Sequence, residues 1–131
     1  MERTPLHSAS QKGHFDVVKY LVNTHHSDPL CPDESKTTPL HLAALNGHVE
    51  VVEFLAEEDK GDFNCRNRWE ITPLHYASEK GHLDVVKYLV DTPHCDPLCQ
   101  NEYKNTPLHL AALNGRLEVC LLYTSPSPRD S

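Results

Sequence analysis

Apolar residues recur along this chain in short runs with helical spacing. In HFDVVKYLV, residues 14–22, Phe15, Val18, Leu21 and Val22 form one stripe at i, i+3, i+6 and i+7, while Asp16 and Lys19 face away. The stripe predicts an amphipathic helix. Ahead of it, PLHSASQK is a shorter segment bracketed by two signals. Thr4 sits where an N-cap belongs and Pro5 fills the first helical position, where a missing N–H costs nothing. Gly13 follows about two turns later, where a left-handed residue lets the chain reverse and a Cβ would cost roughly 1 kcal/mol. The expected local unit is therefore a helix, a glycine turn, a second helix and a long polar loop.

The unit repeats. TPLH occupies 4–7, 38–41, 72–75 and 106–109, and Gly13, Gly47, Gly81 and Gly115 each follow nine residues after the Thr, a spacing of 34 throughout. The units are 4–37, 38–71, 72–105 and a partial 106–119. Thr4, Pro5, His7, Gly13, Thr38, His41, Gly47, Thr72, His75, Gly81, Thr106, His109 and Gly115 are the expected structural positions. Two such short helices cannot bury their faces alone, so stacked units must share one continuous core, with about 1.5–3 kcal/mol from each fully buried aliphatic side chain. Units one and three agree far more closely than one and two, and units two and four share TPLHLAALNG, so the larger module is a doublet. The period alone is compatible with more than one helical-repeat family.

The motifs TPLHxA and GHxxVVxxL, with DFNC in the loop ahead of the third TPLH, resemble the ankyrin-repeat family over residues 4 to about 119. The resemblance implies a mostly α solenoid of stacked helix-turn-helix units with finger loops, about three and a half repeats long. It also implies that the TPLH histidines hydrogen-bond across neighbouring loops, and that the finger tips and the ends of the first helices line a concave face that grips protein partners. Those positions vary between copies here: Glu34, Ser35 and Thr37; Arg68, Trp69 and Ile71; Glu102, Tyr103 and Asn105 at the tips; Gln11, Lys12, Leu45, Asn46, Glu79 and Lys80, with Leu113 and Asn114, at the helix ends. Trp, Tyr and Arg are enriched at binding hot spots, which singles out Arg68, Trp69 and Tyr103 as anchors. Asn64 matches a family position that asparaginyl hydroxylases modify. Two departures stand out. Each unit exceeds the family's usual length of about 33 residues by one. The loop glycine before the Asp is replaced in NTHHSDPLC and DTPHCDPLC, and the hairpin glycine is Lys36, Glu70 or Lys104, so φ > 0 costs more at both turns and the usual form does not follow from the resemblance.

Composition narrows the function. With 131 residues, 38% hydrophobic, 24% charged and a net charge of −7, the chain suits one acidic globular domain and not a nucleic-acid binder. It has no long apolar run and no basic-then-apolar leader, so an intracellular, cytoplasmic chain without membrane insertion is expected. Three of the five cysteines, Cys31, Cys65 and Cys99, recur at one unit position, which suits a small buried residue in a reducing compartment better than a disulfide framework. Of the ten histidines, seven are repeat positions. The remainder, His25, His26 and His94 with Cys95 and Cys99, lack the second short-spaced pair that tetrahedral zinc needs, so no metal or cofactor is expected. No nucleophile elbow, phosphate loop or metalloprotease motif is present, so no catalysis is expected.

The leading expectation is a non-enzymatic scaffold whose partner is another protein. The alternative is a regulatory or targeting array of a larger enzyme or channel whose functional domain lies elsewhere. The fourth unit departs from its pattern at CLLYTSPSPRD: Cys120 to Asp130 resemble, codon for codon, the translation of a transposase adapter used in sequencing libraries, with Ser131 expected to continue it. Residues 1–119 are thus expected to be the array and 120–131 a non-native tail, with the natural protein running on into further repeats. Leu121, Leu122 and Tyr123 would prolong the last helix by about a turn until Pro126. The array would be monomeric if intact, but this partly apolar end invites self-association.

Overall fold

The computed structural model describes residues 3–29, 31–58, 65–91 and 97–124. Among them are eight helices: α1 (Pro5–Lys12), α2 (Phe15–Asn23), α3 (Pro39–Leu45), α4 (Val49–Glu58), α5 (Pro73–Lys80), α6 (Leu83–Asp91), α7 (Pro107–Leu113) and α8 (Leu117–Thr124). They pair as α1–α2, α3–α4, α5–α6 and α7–α8. The first helices pack closely in a row, α1 on α3 on α5 on α7, and the second helices form a looser row behind them. The solenoid expected from the repeat is the fold observed.

Each first helix starts the same way. Thr4, Thr38, Thr72 and Thr106 are extended, accept the N–H of the His three residues on, and send their own N–H to that histidine's Nδ1, a reciprocal box built with His in place of the usual Glu. The helix ends divide by doublet. Gly13 and Gly81 cap α1 and α5 with φ of 76°, whereas α3 and α7 stop a residue earlier, at Asn46 and Asn114, whose amides donate to the carbonyls of Leu42 and Leu110.

The core is one continuous cluster running through all four units, with Leu6, Leu40, Leu55, Leu74 and Leu89 fully enclosed. Of the stripe predicted on α2, Val18 and Val22 are buried, but Phe15 and Leu21 are only partly covered. The position after Asp16 explains the difference. Val17 is 47% exposed, while its equivalents Val51, Val85 and Val119 are 1%, 0% and 1% exposed, because each of those units has a preceding neighbour. A residue absent from the predicted stripe is core in three units of four.

Two sets of histidines stitch the units in opposite directions. His7, His41 and His75 reach forward, their Nε2 atoms lying 2.9, 2.7 and 2.9 Å from the carbonyl oxygens of Thr37, Ile71 and Asn105. A carbonyl only accepts, so Nε2 carries the proton and Nδ1 is left to accept from the capping Thr N–H. His48 and His82 reach backward, to the carbonyls of Gln11 at 3.0 Å and Leu45 at 2.9 Å. In the fourth unit Arg116 replaces that histidine and donates its Nε–H to the Glu79 carbonyl oxygen at 3.1 Å. The backward rings also explain the glycines: a Cβ at Gly13 would lie 2.5 Å from His48 Nδ1, and one at Gly47 would lie 2.6 Å from His82 Nδ1.

Candidate functional site

The finger loops are built by one device used three times. Asp33, Asn67 and Asn101 each accept two backbone N–H groups on Oδ1: Ser35 and Thr37 at 2.8 and 2.9 Å, Trp69 and Ile71 both at 3.0 Å, and Tyr103 and Asn105 at 2.9 and 3.0 Å. These bonds fold each tip into a closed turn. Lys36, Glu70 and Lys104 then take φ of 62°, 60° and 64°, so the hairpin keeps its left-handed residue although no glycine is present. The form that the missing glycine left open is thus the usual one. Two side-chain-bound N–H groups per turn hold a conformation that costs an ordinary residue about 1 kcal/mol. His26, two residues before Asp28 in the first loop, also takes a positive φ, 57°.

Successive tips are then joined edge to edge. Arg68 N–H donates to Ser35 O at 2.7 Å, and Glu102 N–H donates to Trp69 O at 2.9 Å. The register places Ser35, Trp69 and Tyr103 in one row. Beside it run two rows of alternating sign: Glu34, Arg68, Glu102 and Lys36, Glu70, Lys104. All six of these charged residues are exposed, Trp69 is 36% exposed and Tyr103 69%. The result is an aromatic line between two charge-alternating flanks.

The other predicted positions divide by exposure. Gln11, Leu45 and Glu79, one from each first-helix end, are half-buried; Lys12, Asn46, Lys80 and Asn114 are exposed, and Leu113 is 74% exposed. Ser35, Ile71 and Asn105 are half-buried. Thr37 is the exception that must be withdrawn from any contact surface. It is 5% exposed, its carbonyl accepts from His7, and its hydroxyl lies 3.5 Å from the Asn67 amide.

A residue that the sequence reading passed over links this row to the core. Tyr76 on α5 accepts from Asn67 Nδ2 at 3.1 Å and meets the His41 ring edge-on at 6.0 Å. Burial pushes its phenol pKa up, so it stays neutral and polar beneath the finger. Its signal was available: the same position is Ser8, Leu42 or Leu110 in the other units. At the first finger, burial works to raise the Asp33 carboxyl. The Thr37 N–H, the Arg3 guanidinium at 3.1 Å and the Ser35 N–H outweigh it and hold the pKa below the usual range.

Among the described residues no group of three His, Cys, Asp or Glu side chains is placed to hold a metal. His25 lies 3.1 Å from the Tyr20 hydroxyl, and Cys31, Cys65 and Cys99 lie 3.5, 3.7 and 3.8 Å from the hydroxyls of Thr4, Thr38 and Thr72. The cysteines back the helix caps. Asn64, His94 and Cys95 fall outside the described residues. The concavities found are open hollows at the starts of the second helices, lined by residues such as His82, Asp84 and Glu118. No described helix is long and apolar enough to cross a membrane.

A family model described as ankyrin repeats (3 copies) matches residues 1–67 and 59–125. A search of curated proteins returned no match.

Proposed function

Because this chain belongs to the ankyrin-repeat family, whose repeats are in general protein-interaction modules, we propose that it is a non-enzymatic scaffold that grips another protein along its finger tips and first-helix ends. The observation that carries this reading is the aligned row of Trp69 and Tyr103, exposed and held in register by backbone bonds between fingers. Anchors presented on a rigid frame lose little freedom on binding, which is the condition for a few side chains to dominate affinity. Arg68 and Glu70 beside Trp69 select a partner strand or helix carrying both signs of charge near an apolar centre.

The test is affinity capture with the intact chain, compared with Trp69→Ala and Tyr103→Ala. A specific partner should lose about 2 kcal/mol of affinity with either variant, roughly thirtyfold, while helical content and melting are unchanged. Unaltered affinity of every captured protein for both variants would overturn the site. The division at residue 119 belongs to the same proposal, since α8 itself runs on to Thr124. Genomic DNA that encodes residues 120–131 in place would overturn the adapter reading.

A further inference from the structure

The charges at the finger tips are left without partners inside the molecule. Glu34, Arg68 and Glu102 flank the central row of Ser35, Trp69 and Tyr103 on one side, and Lys36, Glu70 and Lys104 flank it on the other. All are exposed, and among the described residues none of them takes part in an ion pair. Each finger thus carries one charge of each sign, and the order is reversed at the middle finger. Alternation spares neighbouring fingers from repelling one another, yet exposed charges a finger apart gain little from each other in water.

The spacing of this pattern identifies the shape that answers it. Each finger is two chain-widths across and is bonded edge to edge to the next, by Arg68 N–H to Ser35 O and Glu102 N–H to Trp69 O. With about 4.8 Å for each width the pattern repeats roughly every 10 Å, in keeping with the distance of about 8–10 Å at which helices stack. An extended strand returns the same face every second residue, about 6.7 Å, and falls out of step with the fingers at once. An α-helix rises about 10.5 Å in seven residues and comes back to nearly the same face, so it keeps step at one heptad per finger. In a heptad the seam positions a and d are flanked by e on one side and g on the other.

We propose that the partner segment taken by this surface is an amphipathic α-helix lying along the finger row, one heptad per finger, with its apolar seam on Trp69 and Tyr103. Its flanking charges run positive, negative, positive opposite Glu34, Arg68 and Glu102, and negative, positive, negative opposite Lys36, Glu70 and Lys104. The inference rests on the partner surface proposed above and names what fits it. Reversing the helix exchanges its two flanks, so a helix whose e and g charges alternate in opposite order finds the fitting direction by itself.

The probe is a dye-labelled three-heptad peptide with a mixed leucine and alanine seam and this alternating order of e and g charges, titrated with the full chain by fluorescence anisotropy. A second peptide has the same composition, but the e and g residues of its central heptad are exchanged, which sets like charges against Arg68 and Glu70. The first should bind about tenfold more tightly than the second, and the difference should vanish at about 1 M salt. In a chain carrying Arg68→Glu with Glu70→Arg, shown to be folded by circular dichroism, the preference should reverse. A proline in the central heptad of the first peptide, facing away from the seam, should abolish binding. Equal affinity for the two peptides, a preference that the paired exchange fails to reverse, or no binding by either peptide overturns the charge pattern. Undiminished binding of the proline peptide overturns the helix in favour of an extended segment. If both peptides bind equally and both weaken on Trp69→Ala, the finger row stands as a binding surface and only its match to a charged helix fails. Peptide binding indifferent to Trp69→Ala removes the row itself.

Discussion

The Nε2–H of His41 donates to the carbonyl oxygen of Ile71 across 2.7 Å, with the ring fully enclosed and its Nδ1 facing the Thr38 N–H. A second ring proton would have to sit at Nδ1, where it turns away the Thr38 N–H that this nitrogen now accepts. Burial, only partly offset by the bond to Ile71 O, lowers the His41 pKa from 6.5 to about 4, and burial lowers that of His75 in the same direction. Between these values the unfolded chain binds a proton that the folded ring refuses, so acidification favours unfolding. Above pH 6.5 neither state binds it, and stability is at its full value. Denaturant titrations from about pH 7 to about pH 5 should therefore show stability falling, by up to about 1.4 kcal/mol per pH unit from His41, with His75 adding in the same direction. A flat profile over that range would contradict the neutral-ring assignment.

Gly47 serves the φ of 75° and the closeness of the His82 ring at once. Alanine there must bear a left-handed conformation and displace an imidazole from its carbonyl, so Gly47→Ala should cost roughly 2–3 kcal/mol. The two contributions separate in a double-mutant cycle. In a His82→Ala background the ring is gone and the same alanine should cost only the backbone part, about 1 kcal/mol. Equal costs in both backgrounds would show that the ring plays no part.

The units, their Thr-Pro helix starts and the glycine turns between paired helices were legible because each is written locally, in Thr-Pro pairs, glycines and a helical stripe. What was not legible depended on a neighbouring unit. Val17 reads as a surface residue from its own helix, and becomes core at Val51 only because α1 and α2 precede it. The backward reach of His48 and the link from Tyr76 to Asn67 are likewise set by stacking, which the residues of one unit do not encode. The left-handed Lys36 was left open for another reason: the missing glycine alone does not decide the turn, and the two backbone bonds of the Asp33 carboxylate that hold it are set by the fold. Of the candidate site, the aromatic anchors were legible as residue types. Their alignment was not, since it rests on the bonds from Arg68 to Ser35 and from Glu102 to Trp69.

That retained turn can be relieved. Glu70 at φ 60° carries a Cβ in a region that glycine enters freely, while glycine also loosens the unfolded chain. Taken together, Glu70→Gly should stabilise the fold by a few tenths to about 1 kcal/mol, measured by chemical denaturation. Destabilisation would show that the Glu70 side chain contributes more than its strained backbone costs.

A different gain lies in α1. The Ser10 hydroxyl is fully buried and, among the described residues, is the side-chain oxygen or nitrogen that finds no partner. Its counterpart two units on, Ser78, meets the Tyr123 hydroxyl at 3.0 Å. The position equivalent to Tyr123 two units earlier is Leu55, which offers no polar atom. An unmatched buried hydroxyl costs about 1–3 kcal/mol, and units two and four already hold alanine at this position, as Ala44 and Ala112. Ser10→Ala should therefore raise stability by about 1 kcal/mol, whereas Ser78→Ala, which breaks a made bond, should lower it by about as much. Thermal melts of the two variants side by side decide the matter: a shift in the same direction for both would mean that the pairing of these hydroxyls does not govern stability.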